Sequence, residues 1–335
     1  MTHQVLGLDI GGANLKAVHT SGKGRHIPYA LWRNPDGLAE QLRQIRRSAP
    51  RHERIAVTMT GELCDCYQSK REGVLAILDA VAKIAPDVPV RVWTNEGHFV
   101  DVHTAREHPY AVASANWLAL ACFVGRMLPA GPCLLIDIGS TTTDIVPLVD
   151  GQPQPNGRTD PERLACNELV YLGWKRTPLC AVAAGDVAAE FFATMHDVHL
   201  ILKNVSEDPA DCDTADGQPA TREAALRRLA RMRCADLETL PAAECLELAQ
   251  EMIFRWVSRV TQSLNAVVGN LPGPPRAVMV AGSGEFLFRF IRQFNLLDES
   301  LRQCSILSLA QTTGDLVGSA AGCALAVAVL ASEER

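Results

Sequence analysis

One pattern occurs twice in this chain, as Asp9-Ile-Gly-Gly-Ala-Asn-Leu-Lys16 and as Asp137-Ile-Gly-Ser-Thr-Thr-Thr-Asp144. Each copy sits between two apolar runs that read as the strands of a hairpin. Val5–Asp9 turns through Gly11-Gly12 into Leu15–Thr20, and Cys133–Ile138 turns through Gly139-Ser140 into Thr143–Val149. Two such units in register predict a duplicated α/β fold with a cleft between its halves. A third element, Ala281-Gly282-Ser283-Gly284-Glu285, again ends a strand in glycines before a helix and offers backbone to a nucleotide or another flat group. At 335 residues the chain exceeds one typical domain, so two lobes are expected, 1–128 and 129–335, the second with a helical insertion around 187–268.

Further elements follow from pattern. Ser21-Gly-Lys-Gly24 marks a hairpin turn into a third strand, Arg25–Leu31, and Asp36 caps a helix through Arg47. Strands are expected at Ile55–Met59, Val90–Thr94, Val278–Ala281 and Ser305–Leu309. Helices are expected at Glu72–Ile84, Ala115–Met127, near Val187–Met195, at Arg222–Arg233 and from Ala242 to Val268. The small, apolar tail from Leu316 to Ala331 reads as a buried helix. The acidic segment Ser206–Thr221 reads as a solvated loop, and its spacing is not that of an EF-hand.

Composition narrows the function. Net charge is -6 with 21% charged residues, without the basic excess of a nucleic-acid binder. No stretch approaches the roughly 20 apolar residues that span a bilayer, and the start lacks a secretory leader's pattern. Eleven scattered cysteines then suggest reduced thiols in a cytoplasmic protein. Cys64 and Cys66 lack a second pair or nearby His to complete a metal site.

The two loops suit phosphate. Glycines let the backbone approach an anion and turn N–H groups toward it. In the first loop these are Gly11 and Gly12, with Asn14 beside them; in the second Gly139, with the hydroxyls of Ser140, Thr141, Thr142 and Thr143. Lys16 can neutralise a phosphate oxygen. Asp9, Asp137 and Asp144 would repel phosphate directly, and make sense if Mg²⁺ lies between, since it prefers oxygen ligands and keeps several waters.

Two glycine-bearing Asp loops and a late strand-Gly-x-Gly element resemble the acetate/sugar kinase, Hsp70 and actin superfamily, which implies a duplicated actin-like (ribonuclease H-like) two-lobed fold with an interlobe cleft. The second loop is similar to that of the hydantoinase A/oxoprolinase branch. Thr58-Met-Thr-Gly-Glu62-Leu-Cys-Asp65-Cys-Tyr-Gln-Ser-Lys70-Arg71-Glu72-Gly73-Val74 resembles a signature of one small branch, the methanofuran-biosynthesis synthases of methanogens and their bacterial relatives in tetrahydromethanopterin-linked one-carbon transfer. Ala115-Asn-Trp-Leu-Ala119, Leu172-Gly-Trp-Lys-Arg-Thr-Pro178 and Arg228-Leu-Ala-Arg-Met-Arg-Cys-Ala-Asp236 are further points of likeness.

That resemblance implies a transferase. An aminomethylfuran carrying a methyl diphosphate is joined through its CH₂ to the phenol oxygen of a tyramine-glutamate or tyrosine-type acceptor, and pyrophosphate leaves. Mg²⁺ is then the expected cofactor; ATP or ADP is allowed but not required. The expected partners are these small molecules, with no nucleic acid and no membrane, and a homodimer is allowed. Asp9, Asp137, Asp144 and Glu62 would be catalytic, the three aspartates also holding the metal. Glu62 and Asp65 would accept the phenol proton or bind the aminomethyl ammonium. Lys70 and Arg71 would meet the diphosphate or an acceptor carboxylate, Arg176 would face ligand, and Gly282 and Gly284 would line the cleft. Asn95 and Glu96 follow another strand end. His196 and His199 read as structural. The competing readings are an ATP-dependent small-molecule kinase or amidohydrolase, and a non-catalytic scaffold.

Overall fold

A computed structural model describes residues 3–294, 296–314 and 319–334. The first strands are β1 (Val5–Ile10), β2 (Asn14–His19), β3 (Gly24–Pro28), β4 (Arg54–Met59), β5 (Val90–Trp93) and β6 (Phe99–Asp101), in the order β3-β2-β1-β4-β5-β6. The second set is β7 (Pro132–Ile138), β8 (Thr143–Val149), β9 (Gln152–Pro153), β10 (Leu169–Val170), β11 (Ala277–Ala281) and β12 (Ser305–Ser308), in the order β10-β8-β7-β11-β12 with β9 on β8.

The duplication holds strand by strand. β1 and β7 each pair antiparallel with the next strand and parallel with a later one, β4 or β11. The ends of β4 and β11, carrying Gly61-Glu62 and Gly282-Ser-Gly284, therefore flank the first and second Asp loops in the same way.

Two helices join the sheets. Gly322–Ser332 packs on β1, β2 and β4 and on helix Asn116–Gly125, which in turn packs on β7, β8 and β9. Both are apolar on nearly every side, as a helix buried between layers must be. A Cβ on Gly7 would stand 2.0 Å from the Ala324 carbonyl oxygen, so only glycine in β1 lets the C-terminal helix lie this close. Each sheet buries its other face under its own helices, Leu38–Ser48 and Lys70–Ile84 on the first, and Ala242–Gly269 with its neighbours on the second.

Some expectations need correcting. No helix covers 187–194; the helix is Met195–Ile201, opened by a reciprocal Thr194–Asp197 capping box. The third strand stops at Pro28. The acidic segment is largely exposed, as expected, and is tied down at two points, Asp211 to Lys175 at 2.8 Å and Asp216 to the fully buried Arg228 at 2.9 Å. Of the expected tail helix, 322–332 is helical, while Leu316, Val317 and Gly318 lie outside the described residues. All eleven cysteines are free. Among the described residues no helix is long and apolar enough to cross a membrane.

Candidate functional site

The two hairpins close alike. The Gly11 N–H donates to the Asn14 carbonyl at 3.0 Å, and the Gly139 N–H to the Thr142 carbonyl at 2.8 Å. The register sets Asp9 opposite Lys16 and Asp137 opposite Asp144, so Lys16 and Asp144 occupy equivalent places in the two copies. Asp9 is buried; its Oδ2 accepts from Lys16 Nζ at 3.1 Å and its Oδ1 has no partner. Burial alone would lower the Lys16 pKa, but Asp9 and Asp137 outweigh it and hold the ammonium well above its usual range.

Asp137 carries the strain of the site. Burial, then Asp144, push its carboxyl up to about 7 against the pull of Lys16, with Asp9 and Glu285 adding to the repulsion. Asp144 is also raised by burial, although Arg163 Nη1 lies 2.7 Å from its Oδ1. The Cys323 thiol, 3.9 Å from Asp137 Oδ2, is pushed up by burial and by the same aspartates, which keeps it a neutral thiol. The centre thus has more negative charge than its own cations balance.

No group of three His, Cys, Asp or Glu side chains gathers closely enough to cage a metal among the described residues. Arg163 takes Asp144 Oδ1 and Asp9 Oδ1 has no partner, so Asp9 and Asp137, with the second oxygen of Asp144, could hold a cation. Mg²⁺ fits that donor set, because it is commonly held by one or two carboxylates together with phosphate oxygens and water.

The glycine element and the Leu172–Pro178 segment brace the second loop. Gly282 has φ +92°, and a Cβ there would stand 2.3 Å from Asp137 Oδ1 and from the Ile138 carbonyl oxygen. The Gly284 N–H donates to the Ile138 carbonyl at 2.8 Å. Trp174 N–H donates to Gly139 O, and the N–H groups of Lys175 and Arg176 to Ser140 O. The Trp174 ring N–H donates to Ser283 Oγ at 2.8 Å, which ties the brace to the glycine element. The hydroxyls of Ser140, Thr141 and Thr142 bond to nothing among the described residues and remain available as donors. On the first loop, a Gly12 Cβ would meet Cys64 Sγ at 2.6 Å, so that thiol is packing, and its pKa rises to about 11 by burial.

Beside the first loop lies a second polar cluster. Glu62 is fully buried; its Oε1 accepts from Ser114 Oγ at 2.6 Å, and its Oε2 has no partner. Lys70 Nζ stands 3.7 Å from Glu62 Oε1 and 3.4 Å from Asp160 Oδ2 of the other lobe. A Cβ on Gly73 would fall 2.0 Å from the Glu62 carbonyl oxygen, so the helix Lys70–Ile84 lies directly on the Glu62 backbone. Three residues from Asp160, the buried Arg163 stacks 3.9 Å from the Trp117 ring centroid. Arg158 Nη1 donates to the Asn95 carbonyl at 3.3 Å.

The structure brings Glu62 and Lys70 together but leaves Asp65 and Arg71 exposed at the surface, without an ion pair among the described residues. Glu96, also exposed, has only His98 at 4.0 Å as an ionic neighbour. Arg176 spans the cleft, with its guanidinium 4.6 Å from the Trp32 ring centroid. His196 and His199 are buried beside Trp174. Sequence reasoning missed Asp160, Arg163, Ser114, Trp32 and Cys323, and quoted Trp117 only as part of a motif without giving it a role. Only the first two carried a local signal, the capping box Thr159–Glu162 that opens their short helix. A cavity of about 470 Å³ at the other end of β7 and β8, lined in part by Trp93, Phe99, Arg126 and Asp150, contains none of these residues.

Comparison with known proteins shows the family and the fold. The profile of the Hydantoinase/oxoprolinase family matches residues 53–330. The chain is 33% identical over 327 residues to the (4-{4-[2-(gamma-L-glutamylamino)ethyl]phenoxymethyl}furan-2-yl)methanamine synthase of Methanocaldococcus jannaschii, covering 94% of this chain and 93% of that protein. The synthase of the same name from Methanococcus vannielii is 33% identical over 193 residues, 53% of this chain and 86% of that one. Among solved structures, nucleotide-free acetone carboxylase superposes with a TM-score of 0.58 at 12% identity, covering 98% of this chain and 70% of that one. A ROK family glucokinase from Streptomyces griseus, in complex with glucose and AMPPNP, superposes with a TM-score of 0.51 at 14% identity over 98% of each chain. The fold is thus the two-lobed actin and sugar-kinase type, and the chain belongs to the hydantoinase/oxoprolinase family, in the group of the furan-methanamine synthases.

Proposed function

We propose that this chain is a biosynthetic transferase that condenses an aminomethylfuran methyl diphosphate with a phenolic acceptor of the tyramine-glutamate or tyrosine type, giving an aryl ether and pyrophosphate. The observation that carries this reading is the doubled Asp hairpin, with Asp137 raised to about 7 and Asp9 Oδ1 unpartnered beside Lys16, in a chain 33% identical to a synthase of that kind over nearly its whole length. An acidic centre with one resident ammonium and free loop donors suits a polyphosphate that arrives with a divalent cation.

Lys16 and the free hydroxyls of Ser140, Thr141 and Thr142 would hold the diphosphate, and Asp9 and Asp137 would hold Mg²⁺. When bound, the metal would stabilise charge on the leaving pyrophosphate. Arg163 keeps Asp144 in place, and Trp174 keeps the second loop in register with Gly282. Holding the diphosphate fixes the CH₂ against the phenol oxygen, which makes a bimolecular step nearly unimolecular. The furan ring supports positive charge on the CH₂ as its C–O bond breaks, and the phenol must lose its proton as the new bond forms.

The test is to incubate the purified chain with Mg²⁺, the furan diphosphate and either tyramine-glutamate or tyrosine. The expected result is the ether by mass and one pyrophosphate per ether. If neither phenol reacts and ATP is instead converted to ADP with another small molecule, the kinase or amidohydrolase reading replaces this one. Ligand binding without turnover of any of these would mark a scaffold.

A further inference from the structure

We propose that Glu62 is the base that takes the proton of the attacking phenol, with Lys70, shared across the cleft with Asp160, setting its ionisation. This rests on the transferase reading. Glu62 follows Gly61, whose N–H donates to the Ile10 carbonyl at 3.0 Å and whose Cβ would lie 3.1 Å from the carbonyl carbon of Gly11. The carboxylate therefore sits on the flank of the first Asp loop.

Its two oxygens differ. Oε1 is taken by Ser114 and approached by Lys70, while Oε2 is buried and without a donor. A buried carboxylate oxygen left without a donor is costly, and a phenol O–H would satisfy it. An aminomethyl ammonium fits less well, because Lys70 already places a cation 3.7 Å from the same carboxylate. In the step, the phenol O–H bond breaks and its proton passes to Oε2. The oxygen's electron pair forms the C–O bond to the CH₂, and the pair of the breaking C–O bond leaves with pyrophosphate. No oxidant or reductant is required.

The charged and titratable groups facing Glu62 are Lys70 on its helix, Asp160 on the opposing lobe and Cys64 on the following turn. Burial raises the Glu62 pKa first, the hydrogen bond from Ser114 and the charge of Lys70 oppose it, and Asp160 reinforces it. The carboxyl must be ionised to act, so kcat/KM should rise with pH through a value above the ordinary carboxylate range. Lys70→Met removes the opposing charge and should move that limb to higher pH. Asp160→Asn removes the reinforcing one and should move it to lower pH.

The experiment measures pH profiles of ether formation for the wild type, Glu62→Gln, Lys70→Met and Asp160→Asn. Alongside, the Glu62 carboxyl stretch is titrated by infrared difference against Glu62→Gln, which needs no turnover. Glu62→Gln should lower kcat about 100-fold or more, leave KM for the furan diphosphate within a few-fold, and retain the fold by melting. Opposite displacements of the acid limb in the other two variants, matched by the infrared titration, are expected. Ether formation by Glu62→Gln within a few-fold of wild type overturns the inference, as does an acid limb that neither variant moves. A wild type that forms no ether with either phenol overturns instead the reading on which it rests.

Discussion

Asp137 is a carboxyl whose own surroundings oppose its charge. Burial and Asp144 already push it up to about 7, so Asp137→Asn relieves a repulsion while removing a carboxylate oxygen from the centre. Turnover should fall about 100-fold or more, while the melting temperature at neutral pH holds or rises; a variant that loses stability and activity together would contradict this assignment. The buried histidines make a different residue-scale prediction. Burial pushes His196 down to about 4 and His199 to about 3, so both fold neutral. The unfolded chain binds their protons from about pH 6.5 downward. Between those limits the unfolded state holds more protons, so stability falls as pH is lowered from about 6.5 toward about 4. His199→Phe, packed against Trp174 and Phe286, should flatten that slope in melting experiments; an unchanged slope would place the acid sensitivity elsewhere.

Among the elements, the helix Lys70–Ile84 couples most directly to the site. Ser69 caps it by accepting from the Glu72 N–H at 3.2 Å, which places Lys70 at its first turn and Gly73 one turn on, over the Glu62 backbone. This spacing explains why Lys70 and Gly73 stand where they do in the sequence. Gly73→Ala puts a methyl 2.0 Å from the Glu62 carbonyl oxygen, and backbone cannot yield as a flexible side chain does. The expected cost is about 1–3 kcal/mol, as for overpacking elsewhere, with turnover falling further than stability because Glu62 and Lys70 both shift. Denaturant melts and kinetics on one preparation check this; neutral behaviour in both would refute the packing argument.

Across the whole molecule, a few polar contacts join the lobes around the cleft. The short helix Asp160–Ala165 supplies one of them, Asp160 to Lys70, and stacks Arg163 on Trp117 of the helix Asn116–Gly125. Arg163 also anchors Asp144, so Arg163→Met leaves that carboxylate without its cation. About 3 kcal/mol should be lost, the low end for breaking a buried pair because Asp144 keeps some exposure, measurable by urea unfolding. Ligand should tighten the same assembly. With Mg²⁺ present, pyrophosphate at 100-fold above its Kd should stabilise the fold by about 2.7 kcal/mol, and by thermal shift it should exceed ADP and ATP; a larger shift with ATP would favour the kinase reading.

The doubled hairpin, the strands beside it, the Asp and Gly positions of both loops and Lys16 of the first were legible in the chain itself, because a strand-turn-strand unit is local and its pattern repeats. The corrected helix at Met195–Ile201 was misplaced by one capping signal, Thr194 to Asp197, which is also local and was there to be read. The partners of the loops were not legible. Arg163 reaches Asp144 from 19 residues away, Trp174 reaches Ser283 from 109, and Cys323 reaches Asp137 from 186. Charge balance, burial and the unpartnered oxygens of Asp9 and Glu62 depend on what packs around each group after the chain folds. Sequence by itself therefore determined which groups could meet a phosphate. Tertiary structure decided which carboxylates have a cation beside them, which keep a buried oxygen without a partner, and that Asp65 and Arg71 face water, because solvation and pairing are properties of neighbours brought together from distant parts of the chain.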